Sequence, residues 1–271
     1  MNEFVKEIFE KEKIEYYAVL SYKDCKEINR GIMEREDFTP RSVIVYLVPY
    51  YTQPTVNISR YASSLDYHII LKEISDKVIS GLTSAYPESR SRGYGDHSPI
   101  DECNAALRAS LGIAGMNGLI INEKYGSFIF IGDVVTDIPP EALGAIEPSE
   151  IGTCMKCGRC ARACPTGILS GTGNDCLSAI TQRKGELTES EIDLMRKFNT
   201  VWGCDVCQTV CPYNKEPKLT PIDFFYKDSI PYLSREILDG MSKDEFKARA
   251  FAWRGRSTVT RNLKIFEKEQ K

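Results

Sequence analysis

The sequence predicts an α+β protein: a mixed sheet with helices over residues 1–150, a small cysteine-built module over 151–217, and a helical tail over 218–271. Three observations lead there. Through the first half, β-branched runs of strand length alternate with segments of helical periodicity. Eight of the ten cysteines fall between Cys154 and Cys211. A proline-rich acidic stretch, TDIPPEALGAIEPSE, separates the two regions.

Elements can be justified in chain order. Residues 1–20 read as a helix, with Phe4, Ile8 and Phe9 at helical spacing, leading into YYAVLSY. RSVIVYLVPYY, from Arg41 to Tyr51, is a β-branched run closed by proline and aromatics, hence a buried strand. Residues 66–86 form a helix whose apolar face is Ile69, Ile70, Ile74, Val78, Ile79 and Leu82. A further helix runs from Pro99 to Leu111, with Ser98 as cap. GLIIN and SFIFIGDVV read as a hairpin turning at Gly126. In the tail, SKDEFKARAF is a helix whose Ser242 and Glu245 make a capping box.

Bulk composition narrows the function classes. The 271 residues are 42% apolar and 27% charged, with a formal net charge of −3. That balance excludes a chain that coats nucleic acid through overall charge; such a partner would need a local basic patch. The N-terminus lacks a basic segment followed by an apolar run, and no stretch reaches the eighteen or so apolar residues of a membrane span. A cytoplasmic protein without a membrane partner is expected, and there ten cysteines are metal ligands more readily than disulfides.

Their spacing points to iron and sulfur. The first run is Cys154-x2-Cys157-x2-Cys160-x3-Cys164-Pro165; the second is Cys204-x2-Cys207-x3-Cys211-Pro212, preceded by a lone Cys176. The first run has the spacing of two-cluster bacterial ferredoxins, where three thiolates bind one cubane and the fourth binds the other. Two [4Fe–4S] clusters follow: Cys154, Cys157, Cys160 and Cys211 for one, and Cys164, Cys176, Cys204 and Cys207 for the other. An inserted helix, roughly Leu177 to Asn199, explains the distance from Cys176 to Cys204. Two four-thiolate zinc sites are the alternative. Cys25 and Cys103 read as buried small side chains.

Other cofactor motifs are scarce. There are two histidines, His68 and His97. Neither a dinucleotide fingerprint nor a phosphate loop is present.

ISRYASSLDYH, GDHSPIDECNAALRASLGIAGMNGLIINEKYGSFIFIGDVVT, CMKCGRCARACPTGIL and WGCDVCQTVCPYN follow one another in this order. In this the chain resembles the epoxyqueuosine reductases, which complete the modified base queuosine in tRNA. The resemblance covers roughly residues 40–216. It implies a nitroreductase-like cobalamin-binding domain ahead of the ferredoxin-like one, with cobalamin bound base-off and fed electrons by the clusters. It also implies a reductant such as ferredoxin or flavodoxin, and tRNA as partner. Asp96 matches the family's proton donor, although Asp96 can also be read as the cap of the helix that follows it. Arg60, Tyr67 and His68 match a motif near cobalamin or substrate. Gly112, Gly115 and Asn117 match a glycine loop that holds the corrin. The family usually has Gly-Trp-x-Gly-Lys-Asn there, whereas this chain has Gly112-Ile113-Ala114-Gly115-Met116-Asn117. For tRNA, the tail offers Lys243, Lys247, Arg249, Arg254, Arg256, Arg261 and Lys264 with Phe251 and Trp253, and Arg90 and Arg92 as an extension. Two rivals share these cysteines: a corrinoid reductase of a small molecule, like the reductive dehalogenases, and a two-cluster electron carrier.

Overall fold

The computed structural model describes residues 3–267. They form two compact units. One comprises the chain up to Pro49 together with His68–Met155; the other comprises Tyr50–Tyr67 together with the chain from Lys156 onward. The units therefore do not follow the linear partition 1–150, 151–217 and 218–271. Residues 50–67 leave the first region for the second, and the tail shares a unit with the cysteine loops.

The first unit is built on a four-stranded sheet. Its strands are β1 (Tyr17–Ser21), β2 (Ser42–Pro49), β3 (Ser91–Tyr94) and β6 (Ile129–Thr136), in the order β1-β2-β6-β3. Every pairing is antiparallel, so the sheet is not mixed as expected. All eight residues of β2 are buried, as its β-branched sequence demands. Helix Tyr67–Ala85 packs Ile70, Leu71, Ile74, Val78 and Leu82 inward, while Ile69 is exposed. Tyr46 of β2 donates its hydroxyl to Leu71 O at 3.1 Å, tying strand to helix inside the core.

Three local expectations change. The first helix spans only Glu3–Lys11, and YAVLS is β1 rather than its continuation. The chain turns at Lys13, whose φ of 59° breaks the helical path. Met1 and Asn2 lie outside the described residues. The helix expected from Pro99 runs from Glu102 to Arg108, and its cap is Asp101, whose side chain accepts from the Asn104 N–H. The hairpin also divides. Asn122 and Gly126 pair across the bend, but β5 (Ile120–Ile121) joins β4 (Ile113–Ala114) in a separate ribbon, whereas β6 enters the main sheet.

The second unit holds the cysteine loops on an apolar cluster that includes Ile58, Ala62, Val201, Trp202, Leu238, Phe246, Phe251 and Val259. The insertion after Cys176 is two helices, Leu177–Gln182 and Glu189–Lys197. Residues 183–188 interrupt it, and Thr188 and Glu191 form a capping box that starts the second helix afresh. The expected box at Ser242 and Glu245 is present, on helix Lys243–Lys247. The last helix spans Arg256–Glu267; residues 268–271 lie outside the described part.

Candidate functional site

The first unit brings two of the expected site residues together. His68 opens helix Tyr67–Ala85 and sets its Nε2 3.5 Å from Asp96 Oδ2. Asp96 is not a helix cap, since Asp101 fills that role. Its backbone has φ of 63°, the left-handed region that aspartate tolerates better than most L-residues. Both side chains remain about half exposed, at 51% and 57%. The protein itself therefore leaves this carboxyl within reach of an incoming molecule.

The expected glycine loop joins β4 to β5. A Cβ on Gly112 would meet Ile121 O at 2.7 Å, and one on Gly115 would meet Leu119 O at 2.8 Å, so both positions require glycine for the ribbon to close. Asn117 Nδ2 is buried without a hydrogen-bond partner among the described residues, a donor awaiting an acceptor. Met116 and Leu119 expose apolar side chains beside it. The Met116 N–H donates to Cys154 Sγ at 3.3 Å. The loop thus combines small residues, an unused amide and an apolar rim with a contact to an expected cluster ligand. Such a donor set fits a large amide-bearing planar cofactor such as a corrin.

The remaining seven clustered cysteines lie in the second unit, and none of the ten is disulfide-bonded. Burial pushes the Cys204 thiol up to about 12, and the neighbouring Cys176 and Cys207 sulfurs add to the rise. Cys176 thus lies beside Cys204 and Cys207 in the fold. The Cys164 thiol is instead lowered: burial opposes ionisation, but the backbone N–H groups of Leu169, Thr166 and Gly167 and the Thr166 hydroxyl outweigh it. The donor set fits iron–sulfur clusters.

Arg60 and Tyr67 are engaged inside this second unit. Arg60 Nη1 pairs with Asp205 Oδ2 at 3.0 Å, and their side chains are only 15% and 9% exposed. Asp205 also accepts from the Arg60 N–H at 2.8 Å and from the Ser59 hydroxyl. The Tyr67 ring meets Tyr61 edge-on and packs against the apolar cluster. Asp205 was not anticipated, although it is the acid enclosed by Cys204-x2-Cys207. Thr181 and Asn262 were also missed. The Thr181 hydroxyl accepts from the Gly203 N–H at 2.9 Å, and Asn262 Nδ2 donates to Thr181 O and Val201 O. A cavity of about 320 Å³ opens beside this loop, lined by Ser59, Arg60, Thr200, Cys204 and Asp205 among others.

The basic patch contracts. Arg249 is buried and donates to Asp228 O, Arg256 donates to Leu238 O and Met241 O, and Arg261 donates to Arg183 O and Gly185 O. These arginines hold the fold together. Phe251 is fully buried. Lys243, Lys247 and Lys264 are exposed, and the Arg254 guanidinium lies 3.7 Å from the centre of the exposed Trp253 ring. Arg90 and Arg92 pair with Asp37 and Glu36. Cys25 is half-buried with its thiol pushed up to about 12 by burial, whereas Cys103 is exposed rather than buried as expected.

Residues 153–214 match a family model for a 4Fe-4S double cluster binding domain. Over 76% of its length the chain is 31% identical to the epoxyqueuosine reductase of Cyclobacterium marinum, of which it covers 68%. The chain belongs to the epoxyqueuosine reductase family. It is also 32% identical to the epoxyqueuosine reductase of Listeria monocytogenes, covering 76% of this chain and 55% of that protein. For the relatives from Lactococcus garvieae and Bacillus subtilis it spans 60% and 52% of their length. The fold is that of the solved epoxyqueuosine reductases. The structure from Streptococcus thermophilus matches with TM-score 0.74 at 23% identity, covering 98% of this chain and 80% of that one. An epoxyqueuosine reductase crystallised with an epoxyqueuosine-modified tRNA stem loop matches with TM-score 0.75 at 23% identity. The double-cluster module thus occupies residues 153–214 of a chain with the epoxyqueuosine reductase fold. Among the described residues no helix is long and apolar enough to cross a membrane.

Proposed function

We propose that this chain reduces epoxyqueuosine to queuosine in tRNA, using cobalamin and two [4Fe–4S] clusters, in the cytoplasm and with electrons from a ferredoxin- or flavodoxin-like donor. The observation that carries the reading is the hydrogen bond from Met116 N–H to Cys154 Sγ. It sets the loop suited to a corrin against a ligand of one cluster, so electrons need not cross solvent between the two. Within this reading the linear regions have distinct tasks: 1–150 holds cobalamin and substrate, 151–217 holds the clusters, and 218–271 supports them and meets RNA.

Removing the epoxide oxygen as water consumes two electrons and two protons. Cobalamin, when bound, would supply the reducing metal centre for that step. Gly112, Gly115 and Asn117 hold it, through close backbone approach and the unused Asn117 amide. Asp96 donates a proton to the departing oxygen, with His68 beside it to orient the carboxyl. A carboxyl this exposed must be covered by cofactor and substrate before it is an effective acid, since desolvation favours the protonated form. Arg60 and Tyr67 serve the cluster loop rather than the corrin, because their polar and aromatic faces are taken up by Asp205 and Tyr61. Cys154, Cys157, Cys160 and Cys211 ligate one cluster; Cys164, Cys176, Cys204 and Cys207 ligate the other. Lys243, Lys247, Lys264 and the Trp253–Arg254 pair meet phosphates and bases of the RNA.

Nucleoside analysis tests the reading. tRNA from cells that lack epoxyqueuosine reduction accumulates epoxyqueuosine. Expressing this chain there should convert it to queuosine, and unchanged epoxyqueuosine despite folded, cofactor-loaded protein would overturn the proposal.

A further inference from the structure

Behind Asp96 lies an acidic pair that the mechanism above does not use. Asp133, on the central strand β6, is fully buried. Its Oδ2 accepts from the Ser98 hydroxyl at 3.1 Å, while its Oδ1 is buried with no partner. Glu102, in the first turn of helix Glu102–Arg108, also has a buried oxygen without a partner, Oε1. The helix that carries Glu102 packs on β6, so the two carboxyl groups are electrostatic neighbours, and the Asp96 backbone lies against Glu102.

Two buried carboxylates cannot face one another as anions, because each is desolvated and each repels the other. One proton resolves the conflict. It turns one unpartnered oxygen into a donor and the other into its acceptor, so both vacancies in the hydrogen-bond pattern close at once. We infer that Glu102 and Asp133 share one proton, and that this acid–carboxylate pair is a positioning device that fixes the backbone of Asp96 in its left-handed turn. Glu102 carries the proton towards Asp133 and faces the Asp96 backbone. Asp133 in turn is locked by Ser98, two residues beyond Asp96. The loop from Asp96 to Ser98 is thus pinned at both ends by one shared proton. The role in turnover rests on the reading of Asp96 as proton donor; the shared proton itself does not.

Titration agrees with the geometry. Burial pushes Glu102 up to about 9, with the Asp133 charge and hydrogen bond adding to it and Asp96 contributing further. Burial also raises Asp133, opposed by the hydrogen bonds from Glu102 and Ser98. The other groups that feel the pair are Cys25, Tyr46, Tyr94 and Cys103, all uncharged near neutrality, and Arg108, which acts on Cys25. The folded state therefore retains a proton that the unfolded chain releases near 4.5. Its stabilising contribution is complete below that value and is lost as pH rises towards about 9.

The test uses the full chain with its clusters reconstituted. Wild-type protein at neutral pH should give the infrared carbonyl band of a buried protonated carboxyl, and Glu102→Gln should remove it. The denaturation midpoint of wild type should fall from neutral pH towards 9, whereas that of Glu102→Gln should stay level over this part of its profile, because glutamine supplies donor and acceptor at every pH. Turnover by the cobalamin-loaded enzyme should fall roughly a hundredfold in Glu102→Ala, the scale of a misplaced reacting group, and be rescued in Glu102→Gln. Absence of the acid band from wild type, or parallel pH slopes in wild type and Glu102→Gln, overturns the inference. If band and slope behave as expected while Asp96→Asn keeps full turnover, the shared proton stands and the role of Asp96 in the reaction falls.

Discussion

At the scale of single residues, the proposed site centres on an exposed acid, Asp96. Asp96 presents its carboxyl beside His68, while its own backbone is held in a conformation that L-residues seldom adopt. Asp96→Asn keeps the shape and removes the proton, so it should abolish turnover while clusters and cobalamin remain bound, as judged by the visible spectrum. A second residue-scale feature is the buried pair of Arg60 and Asp205. Breaking one side of such a pair strands the other charge. Arg60→Ala should therefore cost about 3–5 kcal/mol in chemical denaturation. It should also loosen the loop of Cys204 and Cys207, read as faster loss of iron to a chelator. The double-cluster module was legible because closely spaced cysteines are unusual in a line of sequence. Asp205 was not, since its role depends on a partner 145 positions away.

At the scale of elements, capping and turn chemistry decided most boundaries. The strand Ser42–Pro49 and the helix Tyr67–Ala85 were legible because each carries one sustained period. Boundaries set by a single residue were missed: Lys13 ends the first helix, Asp101 caps the helix assigned to Ser98, and Thr188 divides the insertion in two. Thr188→Ala should therefore cost about 1 kcal/mol, measured by thermal or chemical unfolding. The last helix has a larger task. Asn262 is fully buried and satisfies Thr181 O and Val201 O, which flank the insertion and the second cysteine loop. Asn262→Ala removes the donor to Val201 O and leaves Thr181 O with only the Arg261 guanidinium at 3.5 Å, at a cost of about 1–3 kcal/mol. The tail should thus behave as part of the cluster unit: this substitution should lower the unfolding midpoint and accelerate iron release together.

At the scale of the whole molecule, the cysteine arithmetic gives a clean expectation. Cys176 stands far from Cys204 and Cys207 in sequence but beside them in the structure. Cys176→Ala should lose one cluster and keep the other, so iron and sulfide content should fall to about half, as expected for a double-cluster module. Iron loss without any change in folding would separate ligation from support. The basic tail shows how a sequence pattern can mislead at this scale. Arg249, Arg256 and Arg261 read as an RNA-facing stripe, yet each donates to at least one backbone carbonyl. A cation run in sequence does not distinguish a phosphate from a carbonyl as its acceptor.

The sequence by itself determined the metal chemistry, the α+β class and the family, because thiolate spacing, hydrophobic period and ordered motifs are local properties of the chain. Tertiary structure alone decided what those motifs touch. It moved residues 50–67 into the second unit and paired Arg60 with Asp205. It set the glycine loop against Cys154, and put Glu102 and Asp133 behind Asp96. Each is a contact between segments distant in sequence. Such contacts are fixed by the packing of the whole unit, in which burial, charge and unsatisfied hydrogen bonds settle together.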